Sequence, residues 1–230
     1  DGIAFEVKEY GDLSNPLNYD AAEKVGAGYG QLKYEHGRWH VIVGLRMENT
    51  RQSYHLKYAT ANARNDGSQE YTDFLPDMHL KYTLNDKTNL RFSYYQAINR
   101  PSFFDIVPYT IINEDYKEHG NPDLKHTVAD NFDMRFETYP HPSEQIMACA
   151  FFKRIKDPIE YGMVSGFGQD TYYMPGNYGT AYNYGIELDF MKYFNRFGVK
   201  ANYTYTHSRI TTQKMIEVKN TDALSETTST

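Results

Sequence analysis

Arg38-Trp39-His40-Val41-Ile42-Val43-Gly44-Leu45-Arg46-Met47-Glu48-Asn49-Thr50-Arg51 is the stretch on which the fold turns. Trp39, Val41, Val43, Leu45 and Met47 fall on one side of an extended chain, and His40, Gly44, Arg46 and Glu48 on the other. Ile42 alone breaks the pattern. Successive side chains of a strand point to opposite faces, so a period of two marks a β-strand with one apolar and one wet side. The alternation runs well past the usual strand length of about five or six residues and suits a tilted bilayer crossing.

The same signal spreads outward in both directions. Residues 21–34 read as the preceding strand, joined to it by a tight turn at Glu35-His36-Gly37. Downstream, Asn62-Ala63-Arg64-Asn65-Asp66-Gly67-Ser68 reads as a turn-rich loop. Phe74, Pro76, Met78, Leu80, Tyr82 and Leu84 then alternate with Leu75, Asp77, His79, Lys81 and Thr83. Asn85-Asp86-Lys87 turns the chain, and Leu90, Phe92, Tyr94 and Ile98 return opposite Asn89, Arg91, Ser93 and Asn99. A long loop over residues 101–125 follows. The next hairpin sets Phe132, Met134 and Phe136 against Asn131, Asp133, Arg135 and Glu137, and turns at Pro140-His141-Pro142-Ser143. It returns over residues 145–156, where the adjoining Phe151 and Phe152 blur the period. After a second long loop at 157–179, Tyr182, Tyr184, Ile186, Leu188 and Phe190 face away from Asn183, Glu187 and Asp189. Asn195-Arg196 turns this last hairpin, and Phe197, Val199, Ala201, Tyr203 and Tyr205 come back opposite Lys200, Asn202, Thr204 and Thr206. The polar tail after Ile210 reads as the start of another loop.

Short turns at His36, Asn85, Pro142 and Asn195 alternate with long connections, which is the asymmetry of outer-membrane barrels. The expected fold is therefore all-β: an antiparallel up-and-down meander of long strands, part of a large transmembrane β-barrel. Val41, Leu45, Leu80, Phe92, Phe132, Phe136, Leu188 and Val199 are expected to face lipid. Arg46, Lys81, Arg91, Arg135, Glu187 and Lys200 are expected to face the lumen. About nine strands are legible if residues 2–10 form one, too few for a barrel that holds a plug, which needs around 22. Residues 1–230 are thus expected to form one partial barrel domain, open at both edges.

Composition agrees with this. Aromatics make up 16% of the chain and 22 residues are Tyr, whose apolar ring and wet hydroxyl suit the boundary of hydrocarbon and water. A mean hydropathy of -0.72 argues against helical spans but not against a barrel, whose strands need only every second residue apolar. The net charge of -6 gives no basic footprint for nucleic acid. The single cysteine, Cys149, excludes an internal disulfide framework and reads as a small hydrophobe. Asp1-Gly2-Ile3-Ala4-Phe5 has neither the basic start nor the apolar core of a signal peptide, so the native start of an outer-membrane protein is expected further upstream.

Several stretches, in order, resemble the barrel of TonB-dependent receptors, in particular the broad outer-membrane β-barrel subfamily with large plugs. They are residues 27–34, 44–50, 74–76 and 90–94, then Ile98-Asn99-Arg100-Pro101-Ser102-Phe103 with Gly120-Asn121-Pro122-Asp123-Leu124, and finally residues 151–159 and 183–188. The resemblance implies a receptor of the bacterial outer membrane whose N-terminal plug sits in the barrel and is pulled by TonB. Its partners would be outer-membrane lipid, its own plug domain, TonB, and a small or oligomeric ligand. The plug, the TonB box and the closing C-terminal strands do not occur within these residues. No cofactor is expected.

Candidate chemistry is weighed on the same residues. The histidines lack the spacing of a metal site, and same-face carboxylates such as Glu187 and Asp189 read as wall polarity in a wet lumen rather than as an acid–base pair. Gly26, Gly28 and Gly30 lack the helix a dinucleotide fingerprint needs, and are expected to clear room for the plug or for a tight wall. Arg100-Pro101 reads as a strand leaving its ladder and Gly120-Asn121-Pro122 as the turn that brings the loop back, both as family motifs with structural roles. Ligand contact is expected in the long loops, through Phe103, Phe104, Tyr109, Tyr116, Phe167, Tyr172 and Tyr173, which could stack on a glycan or cap a hydrophobic ligand. The same aromatics could simply pack the loops together. The leading function is barrel wall and extracellular loops for TonB-energised uptake. The alternative is a surface β-protein for adhesion or glycan binding without transport.

Overall fold

The computed structural model describes residues 17–57, 64–112, 116–165, 171–216 and 225–229. The long strands are β1 (Tyr19–His36), β2 (Trp39–Leu56), β3 (Asp66–Asn85) and β4 (Thr88–Asn99), then β7 (Thr127–Thr138), β8 (Gln145–Lys156), β11 (Thr180–Phe194) and β12 (Phe197–Ile216). Between them lie a one-turn helix α1 (Phe103–Ile106) and the short strands β5 (Thr110–Ile112), β6 (Lys117–His119), β9 (Ile159–Ser165) and β10 (Thr171–Asn177), with β13 (Ser225–Ser229) last. One nine-stranded sheet has the order β1-β2-β3-β4-β7-β8-β11-β12-β13, a meander in sequence order. Every pairing in it is antiparallel. Antiparallel neighbours in this order place the turns at 37–38, 86–87, 139–144 and 195–196 at one rim and all the long connections at the other.

The register lines up the faces read from the sequence. Val41, Leu80, Phe92 and Met134 are successive partners across β2, β3, β4 and β7. Phe132, Phe152, Tyr184 and His207 are partners across β7, β8, β11 and β12. Apolar partners thus share one face, and Leu45, Phe132, Phe136, Leu188 and Val199 lie exposed on it. From Trp39 to Met47 this face covers about 26 Å of strand at roughly 3.3 Å per residue, comparable to the apolar band of about 25 Å on outer-membrane barrels. Aromatic pairs stud it: Trp39 packs on Tyr82 at the turn rim, and Tyr94 packs on Phe132 in register with Met78 and Val43. The opposite face carries Arg46, Lys81, Arg91, Arg135, Glu187 and Lys200. There Arg91 Nε donates to Glu137 at 2.8 Å across the β4–β7 pair.

Several expectations are corrected. Strand β2 continues past Arg51 to Leu56 because its lumen-facing residues Glu48, Thr50, Gln52, Tyr54 and Leu56 are all buried, which a polar sequence does not advertise. Asp66, Gly67 and Ser68 are not loop but the start of β3, paired with His55, Tyr54 and Ser53. The turn propensity of Asp-Gly yields there to tertiary pairing, and the Tyr54 ring covers Gly67 where a Cβ would stand. The tail continues as strand to Ile216. The long loops are not irregular, since β5, β6, β10 and β9 form a second, four-stranded sheet. Gly26, Gly28 and Gly30 pair with Asn49, Met47 and Leu45 and so share the apolar face, where a Cβ on any of them would meet nothing. They do not clear the lumen side. Residues 2–10, the uncertain strand, lie outside the described residues.

The facing has an energetic consequence. Leu188→Arg puts a charge in mid-band and is expected to cost roughly 2–4 kcal/mol. Asn202→Arg, on the lumen face opposite Asp189, is expected to stay within about 1 kcal/mol. Urea unfolding of the bilayer-refolded full-length gene product measures both, and equal costs would reverse the assignment of faces.

Candidate functional site at the long-loop rim

Above the apolar band the strands outrun the bilayer, and their lumen faces hold the loops. The ladder of β4 stops at Asn99, and Arg100 swings to the lumen face of β2. Its Nη2 bonds Glu48 Oε1, while its Nε donates to Thr50 Oγ1 at 3.1 Å. Glu48 also accepts both Nε and Nη2 of Arg46 on Oε2, at 2.8 and 2.6 Å. A carboxylate with a side chain only 7% exposed is thus held by two guanidiniums, and one of them belongs to the loop. Charge-assisted forks of this kind are stronger and more directional than neutral hydrogen bonds. Pro101 follows, fully buried, and its carbonyl accepts from Gln52 Nε2 at 3.0 Å. Lacking an N–H, Pro101 costs the ladder no donor where the chain departs.

The one-turn helix α1 has its N-terminus closed by Ser102 and Asp105 in a reciprocal capping box. Ile106, Val107, Tyr109 and Leu124 then pack on Tyr54 and Leu56 in the small core of this region, with Phe103 and Ile159 against it. The return passes through Gly120-Asn121-Pro122. Gly120 lies against the Val107 carbonyl so closely that a Cβ would collide with it. The Asn121 N–H donates to the Asp105 carbonyl at 2.6 Å, and its side-chain oxygen takes the Asp123 N–H at 3.0 Å. His126 closes the excursion: its ring stacks on Tyr71 at 4.1 Å, and its Nε2 lies 2.8 Å from Asp73 Oδ1.

The second long loop is stitched to the first. Strand β10 pairs parallel to β6 through Tyr172–Lys117 and Tyr173–Glu118. Asn121 Nδ2 donates to the Pro175 carbonyl at 2.9 Å, and Tyr161 Oη donates to Asp105 at 2.8 Å. Asn177 bonds the backbone of Lys125 on both sides and also the Asp157 carbonyl. The result is one composite cap at the loop rim.

The sequence-predicted aromatics divide within this cap. Tyr109 is 1% exposed and gives its hydroxyl to Glu118, so it packs the loop and is out of a ligand's reach while the cap is closed. Phe103 sits half-buried against the same core. Phe104 is exposed and lies over Tyr109. Tyr116 and Tyr173 come together edge to face at 5.9 Å, both exposed, and Tyr161 stacks on Tyr173 at 5.4 Å. Tyr172 is set apart, against His119. Phe167 lies outside the described residues. The sequence reading missed Glu48, Gln52, Asp73, His126 and Tyr161. Arg46-x-Glu48-x-Thr50-x-Gln52 on one face was the available signal for the first two, since a strand leaving the bilayer has no other reason to continue its polar alternation.

Residues 5–230 match the model of the Outer membrane protein beta-barrel family, and the chain belongs to that family. Its place is therefore the bacterial outer membrane. No curated protein sequence matches it. Among solved structures, the FrpB iron transporter from Neisseria meningitidis (F3-3 variant) is similar with a TM-score of 0.62 at 14% identity, over 82% of this chain and 26% of that one. The copper transporter OprC gives 0.65 at 18% identity, over 83% of this chain and 29% of that one. The ferric enterobactin receptor PfeA of Pseudomonas aeruginosa, as the Q482A mutant in complex with enterobactin, gives 0.59 at 16% identity, over 82% and 36%. The chain spans only about a third of these proteins or less, and at such identities the likeness is one of fold.

Two measurements follow from the anchoring of the cap. Arg100→Ala leaves one oxygen of buried Glu48 without its partner and should weaken loop docking by about 1.5–3 kcal/mol. Limited proteolysis within residues 102–112 should accelerate accordingly, and an unchanged rate would show that the pair does not hold the loop. His119, on β6, has its Nδ1 3.1 Å from Thr110 Oγ1, and burial holds its pKa below the ordinary 6.5. The folded cap then binds fewer protons than the open one, so its stability falls once the pH drops below 6.5 and keeps falling until the folded pKa is passed. Hydrogen exchange of the β5 and β6 amides, corrected for intrinsic rates, should show this loss on acidification. The His119→Gln variant should show none.

Proposed function

We propose that this chain is the wall and extracellular-loop portion of a TonB-energised receptor that imports a ligand across the outer membrane. The observation that carries it is the inward-turned cap. The first long loop folds over the lumen face, anchored by Arg100–Glu48 and His126–Asp73, with the second bonded to it, and not outward from the rim as an adhesin's would. An inward cap serves a protein whose ligand enters the lumen. The transporters and receptor named above, similar in fold, support the same reading. The rest of the machinery, a plug within the lumen and TonB acting on it, belongs to the longer protein of which the wall would be part. The exposed Tyr116–Tyr173 pair, with half-buried Tyr161 stacked on Tyr173, and Phe104 are the ligand-facing candidates, because flat rings stack on sugars or apolar groups without needing a charge.

The test uses the full-length gene product in its own cells. Compounds of conditioned medium are followed in wild-type, receptor-deleted and tonB-deleted strains, with and without a protonophore. Import predicts at least one compound whose uptake is lost in both deletions and on uncoupling, and is reduced several-fold by Tyr116→Ala with Tyr173→Ala. Uptake indifferent to TonB and to the proton gradient would remove the mechanism. Loss of surface adherence in place of uptake would favour the adhesion reading.

A further inference from the structure

The wall has a gap in its ladder. Strand β3 pairs with β2 along its whole upper length, from His55–Asp66 to Trp39–Tyr82. On its other side the pairing with β4 ends at Asp77–Tyr95. From Asp66 to Pro76 no strand among the described residues pairs with that edge. His126 and the loop before it do not fill the place, because His126 lies on the lumen face of β3 against Tyr71 and Asp73. Pro76, one residue beyond the last β3–β4 pair, has no N–H to offer and fits a ladder that stops there.

A cavity of about 650 Å³ lies along this edge. Consecutive residues Asp66, Gly67, Ser68, Gln69, Glu70 and Tyr71 form one wall, and Pro122, Asp123, Leu124, Lys125 and His126 form the other. A cavity lined by an unbroken run of strand takes in side chains of both faces, and therefore the edge itself with its backbone amides and carbonyls. Such an edge is a template for another extended chain. Tyr54, only 6% exposed, lines the same cavity with a hydroxyl that has no hydrogen-bond partner among the described residues. The charges around the cavity are unequal: Asp66, Glu70, Asp123 and Asp157 face only Arg64 and Lys125.

We infer that the free edge of β3 from Asp66 to Thr72 is a docking site for an extended, basic peptide segment supplied by another molecule, added as a strand. Main-chain hydrogen bonds to the β3 edge give it affinity, and alternate side chains give it choice. Strand partners share faces, so every second peptide residue lies beside Ser68, Glu70 and Thr72 on the outer side and the others beside Gln69 and Tyr71. Basic residues at alternate positions meet Glu70 and Asp66, and small polar residues between them meet the lumen-side groups. The lining run from Asp66 to Tyr71 spans about 17 Å at roughly 3.3 Å per residue, which sets a segment of about five or six residues. The inference does not depend on import: a docked peptide is equally compatible with a wall that transports and one that does not.

The full-length gene product in nanodiscs is titrated with acetyl-Lys-Thr-Lys-Thr-Lys-amide, with its Glu-Thr-Glu-Thr-Glu counterpart, and with two Lys-Thr peptides N-methylated on alternate residues in the two possible phases. Saturable binding of the basic peptide is expected, at least tenfold weaker for the acidic one. One N-methylated phase should also lose at least tenfold and the other little, because only one set of amides faces the ladder. Glu70→Gln with Asp66→Asn, both at exposed positions that leave the fold intact, should weaken the basic peptide several-fold. Hydrogen exchange should show alternate amides between Gly67 and Thr72 slowing on binding. Equal binding by both N-methylated phases would mean charge attraction without strand addition and would overturn the inference. So would the absence of binding by any peptide, or an edge already protected before peptide is added.

Discussion

A backbone amide in hydrocarbon has no water to turn to, and everything else in this structure follows from where that condition begins and ends. At the level of Val41, Leu80, Phe92 and Met134 the N–H and C=O groups find partners on both sides, and β2, β3, β4, β7, β8 and β11 run there as an unbroken ladder. One face must then be apolar, and the other is free to be polar. The long runs of period-two sequence are the trace of that requirement. Beyond the Asp77–Tyr95 pair the requirement lapses, and from there the wall begins to lose its regularity.

The loss is organised. Where β4 stops, the chain needs an anchor that does not depend on the ladder, and Arg100 supplies it by reaching the buried Glu48 together with Arg46. A carboxylate with its side chain 7% exposed is an expensive thing to keep ionised away from water, and it is tolerable only with well-placed donors around it. The site therefore couples two segments, β2 and the first long loop, that are remote in sequence. The cap is tied to the wall by Asp73–His126 as well, and to the second loop by Asn121, Tyr161 and Asn177. These anchors lie above the band, where solvent lowers the cost of charge and the loops can be rearranged without disturbing the membrane-embedded ladder.

The sequence carried the embedded part of this almost completely, because hydrocarbon imposes one rule on every strand and the rule has a short period. Faces, turns and direction of the strands around Val41, Leu80, Phe132 and Leu188 could be read residue by residue. It carried the cap poorly. Gly67 looked like a turn residue, and only the Tyr54 ring lying over it explains why a strand passes there. Tyr109 looked like a loop aromatic open to ligand, but Val107, Ile106 and Leu124 bury it against β2. Thr50 and Gln52 are polar residues with no local signal of burial, yet they are among the best buried side chains described. Each of these outcomes rests on contacts between segments dozens of residues apart, and no local period records such contacts. At Arg100-Pro101 and Gly120-Asn121-Pro122 the geometry is more local: an amide missing where a ladder ends, and a Cβ missing where backbone meets backbone.

The two regimes meet on β3. Below Asp77 the strand has partners on both sides, and its alternation of Met78, Leu80 and Tyr82 with His79 and Lys81 is that of an embedded wall. Above it the same strand keeps its pairing with β2 but loses β4, and beyond Phe74 its sequence becomes Asp, Thr, Tyr, Glu, Gln, Ser and Gly, with little apolar burial to hold it extended. A lone edge of this composition would be expected to fray in water. What keeps it extended is the other neighbour: β2 buries Thr50, Gln52, Tyr54 and Leu56 under the cap, and β3 is templated on β2 by a register that never slips. The order of cause thus runs from the cap to β2 to β3, the reverse of the band, where the membrane dictates the strands and the strands position the loops. A structure built in both directions in this way can hold an open backbone edge rigidly at its surface, which neither an isolated loop nor a closed ladder could do.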